Sequence, residues 1–259
     1  MIDRIPRFIT AINDSKLDGF VLNPGPSLTY LTGLHFHLME RPTVALFTAS
    51  GKIGLVLPIL EREKLNELLF EFEVYPFGDD PATWGSAFQQ ALAALNLQHG
   101  KIGIEPTRLR VLELRFLEAA GSAQFVDGSQ VLAALRMSKE PGEIEKMRQA
   151  AQIAQKALLE TLKSVRIGLS EREIASELVI QLYRAGSDIE LPFQPIVSSG
   201  PNSANPHAVP SDRLLQDGDL LLFDWGASKD GYFSDITRTF TIGQVDPTLL
   251  EIGAAVLAA

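Results

Sequence analysis

The run from Leu220 to Thr241, LLLFDWGASKDGYFSDITRTFT, constrains this chain more than any other stretch. Residues 220–227 are apolar apart from Asp224, and residues 232–242 are rich in aromatic, β-branched and Thr positions. Ser228-Lys-Asp-Gly231 separates them and ends on Asp-Gly, a pair that tolerates the positive φ of a tight hairpin turn. Two registers are open. A four-residue loop pairs Ala227 with Tyr232 and sets Asp224 opposite Asp235. A two-residue Asp230-Gly231 turn pairs Lys229 with Tyr232 and makes the two acids diagonal neighbours. Side chains alternate with period 2, so either register puts both carboxylates on one face. Their Cβ atoms would be roughly 5–8 Å apart. Two like charges on strands this apolar repel each other and are desolvated. A pair of divalent cations answers both costs, since hard cations take carboxylate oxygens. The plainer account makes strand-end aspartates solvated turn residues. Asp230 fits that account. Asp224 does not, because Leu220–Phe223 precede it and Trp225 follows.

Composition removes several function classes. The 259 residues suit one large domain or two small ones. A net charge of −9, from 32 acidic and 23 basic residues, disfavours a nucleic-acid surface. There is no cysteine, which excludes disulfides, thiolate zinc sites and Cys nucleophiles and suits a reducing compartment. Met1-Ile-Asp-Arg-Ile-Pro-Arg7 opens no apolar signal segment, and no apolar run is long enough to span a membrane. The expectation is a soluble cytoplasmic protein with no membrane partner. Gly-x-Ser-x-Gly, His-Glu-x-x-His, P-loop and Gly-x-Gly-x-x-Gly motifs are all missing.

Strand and helix patterns alternate through the first half. Helices are expected over 3–13, 59–70, 81–96 and 107–119, with a helical turn from Ser27 to Tyr30. Strands are expected at 19–22, 43–48, 53–57, 72–76, 101–104 and 123–126. This argues an α/β domain with a largely covered sheet. A boundary falls in 127–140, with a short helix at 131–135. Pro141 starts an amphipathic helix on Ile144, Met147, Ala151, Ala154, Leu158 and Leu162. Ser170-Glu-Arg-Glu173 is a capping box that opens a second helix. A polar loop, Ser199–Asn205, leads to Pro206-His207, and Asp246-Pro247 starts a last helix. By itself His207 reads as a surface histidine. His35 and His37 have strand-face spacing that could hold a metal, although a solvated loop is the weightier reading. His99 reads as a helix end, and Arg238 as half of a structural ion pair.

Phe223-Asp-Trp-Gly-Ala227 together with Gly231–Phe240 resembles the first metal-binding segment of the pita-bread metallopeptidases. That family includes Xaa-Pro dipeptidase (prolidase), Xaa-Pro aminopeptidase and methionine aminopeptidase, and its Asp pair has this same separation. Pro206-His207 resembles the family's substrate-contacting segment. Lys139-Glu-Pro-Gly-Glu-Ile144 resembles the start of its catalytic domain. Tyr30-Leu-Thr-Gly33 resembles its creatinase/prolidase-type N-terminal domain. The resemblance implies an α/β N-terminal domain followed by an α+β pita-bread catalytic domain. Residues 1–130 would be the first, and residues 141–259 the first half of the second, truncated at its C-terminal half. The family's second half brings a metal-binding His and two Glu, which no position here matches.

Further expectations follow from the resemblance. Two divalent ions, manganese or cobalt with zinc as an option, would be held with Asp224 chelating one and Asp235 bridging both. His207 would be the catalytic residue that holds substrate near the scissile bond. The substrate would be a small peptide with Pro after that bond, the enzyme a dipeptidase or aminopeptidase, and the assembly a homodimer. In such dimers the partner's N-terminal domain can approach the site, which keeps His35 and His37 as outside candidates. The 259-residue form by itself is expected to be inactive. The rival is a non-peptidase on the same scaffold, either a creatinase-like metal-free hydrolase or a metal-free binding module. Retention of both Asp residues argues against it, because neither version needs a carboxylate pair.

Overall fold

Helix α1 (Arg4–Asp14) leads into β1 (Gly19–Leu22), α2 (Pro26–Thr32), β2 (Val44–Thr48) and β3 (Ile53–Pro58) in the computed structural model. A 3₁₀ stretch (Ile59–Glu67) precedes β4 (Glu73–Phe77), α3 (Pro81–Ala94), β5 (Lys101–Ile104), α4 (Val111–Ala119), β6 (Gln124–Asp127) and α5 (Ser129–Met137). The structure describes residues 4–259, apart from the Glu67 side chain. Residue 3, where the first helix was expected to begin, lies outside the described residues.

The six strands form one mixed sheet in the order β4-β3-β2-β1-β5-β6. Alternate residues of each strand feed separate cores. Phe20, Leu22, Ala45 and Phe47 pack with Phe8 and Ile12 of α1 and Leu132 of α5. Val21, Val44 and Leu46 pack on the opposite face with Phe88 and Leu92 of α3. Cover on both faces explains why β1, β2 and β3 are buried along their whole length and read as continuous apolar runs. Helical spacing over 59–70 gives a shorter 3₁₀ stretch instead. Ile59 and Leu60 there are exposed while Leu65 is buried, so no continuous apolar face stabilises an α-helix.

The chain divides after Ser138, and Lys139–Ala259 forms a second unit. It comprises α6 (Pro141–Leu162), α7 (Glu171–Ala185), β7 (Ile196–Ser199), a 3₁₀ turn (Gly200–Ala204), β8 (Leu220–Trp225), β9 (Ser228–Lys229), β10 (Tyr232–Phe233), β11 (Ile236–Thr241) and α8 (Pro247–Ala258). Strands β11, β8 and β7 make an antiparallel sheet in that order. Helices α6 and α7 contribute Ala154, Ala157, Leu158, Ile174, Leu178 and Leu182 to a core with Val197, Leu221, Phe223 and Trp225. The buried stripe of α6 is rotated from the expected one. Ala150, Ala154, Ala157, Leu158 and Thr161 are buried, whereas Ile144 and Met147 are exposed. Small residues on that stripe let the neighbouring backbones approach, and the bulkier ones flank it. Among the described residues, no helix is long and apolar enough to cross a membrane.

Candidate functional site

The hairpin adopts the two-residue turn. Lys229 pairs with Tyr232, and Asp230 and Gly231 have φ of 49° and 78°. Both positive values match a type I′ turn, whose twist suits antiparallel strands. The same register continues into β8 and β11, where Trp225 pairs with Ile236 and Asp224 with Thr237. Asp235 therefore stands opposite Gly226, diagonal to Asp224. The four-residue loop that would have set the two acids directly opposite is not formed.

Two locks hold the hairpin on α6. The Trp225 indole Nε1 donates to the Ala154 carbonyl at 3.0 Å. The buried Ser234 hydroxyl donates to the Ala150 carbonyl at 3.2 Å and accepts from the Ala227 N–H at 3.0 Å. Ser234 and Ile236 thus face the helices, and Asp235 and Thr237 face outward. Gly226 is required by close approach: a Cβ there would meet the Ser234 carbonyl oxygen at 2.0 Å and Pro192 Cγ at 2.5 Å.

The outward face carries Leu220, Leu222 and Asp224 of β8, with Thr237, Thr239 and Thr241 of β11. Asp224 is half-buried, and its Oδ1 accepts from the Thr237 hydroxyl at 3.0 Å. Asp235 is exposed, with no hydrogen bond or ion pair among the described residues. The desolvation expected of this pair is thus partial at Asp224 and absent at Asp235, because α6 and α7 pack on the opposite face of the sheet. Asp219, by contrast, is neutralised by a bidentate pair with Arg213 at 2.6 and 2.8 Å. Burial works against its ionisation, but the Arg213 hydrogen bonds outweigh that and lower the Asp219 pKa.

His207 lies exposed in the loop after the 3₁₀ turn, which itself packs against β7 and β8. Its backbone N–H donates to Asn205 Oδ1 at 3.0 Å. Glu171, in the first turn of α7, was not singled out by sequence reasoning. The residue is 1% exposed, and its carboxylate accepts from both ends of the loop, at Ser199 and Ser211. An acidic residue in a helix's first turn ordinarily signals only favourable interaction with the helix dipole. Ser198, on the same sheet face as Asp224, is another omission. Its hydroxyl is buried without a partner among the described residues.

Among the described residues, none of the weaker candidates joins a group of possible metal ligands. His35 and His37 are exposed in the loop between α2 and β2, on no strand face. His99 lies beyond the end of α3, with its Nδ1 hydrogen-bonded to the Ser122 hydroxyl at 2.7 Å. Arg238 makes no ion pair among the described residues; it donates to the Thr237 carbonyl at 2.7 Å. No cluster of three or more His, Cys, Asp or Glu able to hold a metal occurs among the described residues. Asp224 and Asp235 fit hard divalent ions in donor chemistry but fill only part of a coordination sphere.

An α/β unit is followed by an α+β unit of pita-bread type that carries two carboxylates on one outward face. Comparison with known proteins agrees with that architecture. The sequence pattern of metallopeptidase family M24 matches residues 145–259, and that of the creatinase/prolidase N-terminal domain matches residues 4–138. An uncharacterized peptidase of Staphylococcus saprophyticus is 30% identical over 257 residues, covering 99% of this chain and 71% of the relative. A dipeptidase structure from Pyrococcus horikoshii superposes with a TM-score of 0.88 at 34% identity, covering 96% of this chain and 68% of that one. A Xaa-Pro dipeptidase structure from Bacillus anthracis gives a TM-score of 0.85 at 28% identity, covering 99% and 69% respectively. This chain belongs to metallopeptidase family M24, with a creatinase/prolidase-type N-terminal domain. Members of that family generally depend on a pair of metal ions.

Proposed function

We propose that this chain supplies part of the active site of a metal-dependent peptidase cleaving Xaa-Pro bonds, as a dipeptidase or aminopeptidase. Its N-terminal domain extends past the expected 1–130 to Ser138, because α5 packs into that unit's core, and the unit that follows carries Asp224, Asp235 and His207. The observation that supports this best is the hairpin register. It sets two carboxylates, with no cationic partner among the described residues, diagonally on one outward face, in a chain of family M24. Asp224 and Asp235 would hold two divalent ions, manganese or cobalt. When bound, the ions supply Lewis acidity toward the peptide carbonyl. Thr237 holds the Asp224 carboxylate in place through its hydroxyl. His207, on its tethered loop, would contact the peptide and stabilise charge developing at the scissile carbonyl. A homodimer in a cytoplasmic setting completes the proposal.

The 259 residues alone should be inactive, because two carboxylates leave most coordination positions to water. The test has two parts. Calorimetric titration of this chain with manganese should show weak binding that Asp224→Asn and Asp235→Asn each remove. In the catalytically competent protein, a Xaa-Pro dipeptide should be hydrolysed only with both aspartates present. Binding that survives both substitutions, or near-normal turnover by Asp235→Asn, would sink the assignment.

A further inference from the structure

Glu171 is a buried acid with no part in the proposed hydrolysis. It accepts hydrogen bonds from five donor groups at three points of one loop. Oε1 accepts from the Ser199 N–H at 2.6 Å, the Ser199 hydroxyl at 2.9 Å and the Asn202 amide at 3.1 Å. Oε2 accepts from the Asn202 amide at 3.1 Å, the Ser211 N–H at 3.0 Å and the Ser211 hydroxyl at 2.6 Å. The residues between Ser199 and Ser211 include His207. Two backbone bonds reinforce the tie: Glu171 N–H to the Arg213 carbonyl at 3.1 Å, and Arg172 N–H to the Ser211 carbonyl at 3.0 Å.

Helix capping does not account for this carboxylate. Ser170 and Glu173 already form the capping box of α7, with Ser170 N–H on Glu173 Oε2 at 2.8 Å and Glu173 N–H on Ser170 Oγ at 3.2 Å. Among the described residues every hydrogen-bond partner of the Glu171 carboxylate is a donor, so the site is built for an acceptor-only group. Burial by itself would raise the Glu171 pKa, but the Ser211 and Ser199 hydrogen bonds outweigh it and hold the group below its ordinary 4.5.

We infer that Glu171 is a positioning residue: its carboxylate clamps both ends of the 199–211 loop and thereby sets where His207 meets the substrate. The clamp removes loop freedom that would otherwise be lost when substrate binds. The part concerning substrate rests on the proposed role of His207. The clamp itself stands on the hydrogen bonds alone.

Glu171→Gln tests it, since one amide NH2 must then face a donor. Hydrogen exchange followed by mass spectrometry on this chain should show the amides of 199–211 exchanging at least tenfold faster, with α6 unchanged. Unaltered protection of 199–211 overturns the clamp. Equal loosening of α6 also overturns it, by making Glu171 a general stabiliser of the unit. In the catalytically competent protein, Glu171→Gln should raise KM for a Xaa-Pro dipeptide about tenfold, the size of one lost charge-assisted hydrogen bond. In a His207→Ala background the same change should add less than about twofold, as expected for groups acting as one unit. Additive effects overturn the link to His207. If His207→Ala by itself leaves hydrolysis unchanged, the reading of His207 fails separately, and the exchange result alone decides the clamp.

Discussion

In β1 and β2 every residue is buried, whereas in β8 burial alternates residue by residue. The first sheet lies between two helical layers, so its strands β1, β2 and β3 spend all their side chains on packing. The second sheet is backed by α6 and α7 on one face only. Leu221, Phe223 and Trp225 anchor it there, and the alternate positions are released for other uses. Asp224 is one of those released positions. Two-sided burial gives a scaffold with no room for chemistry, and one-sided burial gives a scaffold plus a free row of side chains.

Several changes would break or sharpen this contrast. The largest effect is expected at the outward row. Asp235→Asn in the catalytically competent protein should lower kcat/KM for a Xaa-Pro dipeptide at least a thousandfold, about 4 kcal/mol of transition-state stabilisation. In the doubly covered sheet, Phe47→Ala should cost about 3–5 kcal/mol in urea unfolding of the first unit. Phe47 is fully buried and meets Phe8 edge-on at 5.2 Å. Between β8 and β9, Gly226→Ala should cost about 1–3 kcal/mol, since the Ser234 backbone must move to admit a methyl group.

A smaller effect should appear with pH. Glu171 has a folded pKa below its ordinary 4.5. Its stabilisation is therefore complete above that value and lost as pH falls through the lower folded one. Thermal unfolding of the second unit should show Glu171→Gln losing less stability than the parent chain between about pH 6 and pH 3. The smallest effect is expected at Thr239→Ala, on the outward face and exposed. Urea unfolding should change by less than about 0.5 kcal/mol. A cost comparable to Phe47→Ala would mean that the two sheets do not differ as described.

The α/β pattern, the strands at 19–22 and 101–104, the capping box at Ser170 and the hairpin about Asp230-Gly231 were legible because each rests on local rules. These are periodicity, cap chemistry and turn residues with positive φ. The shared face of Asp224 and Asp235 was legible too, since period 2 fixes it in either register. The choice of register was not. It depends on Ser234 reaching the Ala150 carbonyl and on the tight packing at Gly226, both contacts with distant parts of the chain. The rotated stripe of α6 has the same origin, because Ala150 and Ala157 are buried by what packs against them and not by their hydrophobicity. Glu171 looked like an ordinary first-turn acid, and its partners lie 28 to 40 residues away.

The sequence by itself determined which side chains must share a face and where helices and turns begin, because those follow from backbone geometry over a few residues. Tertiary structure alone decided which face is open, which register the hairpin takes and which acid is buried. Each of these depends on the free energy of contacts between segments far apart along the chain, and no local pattern records those contacts.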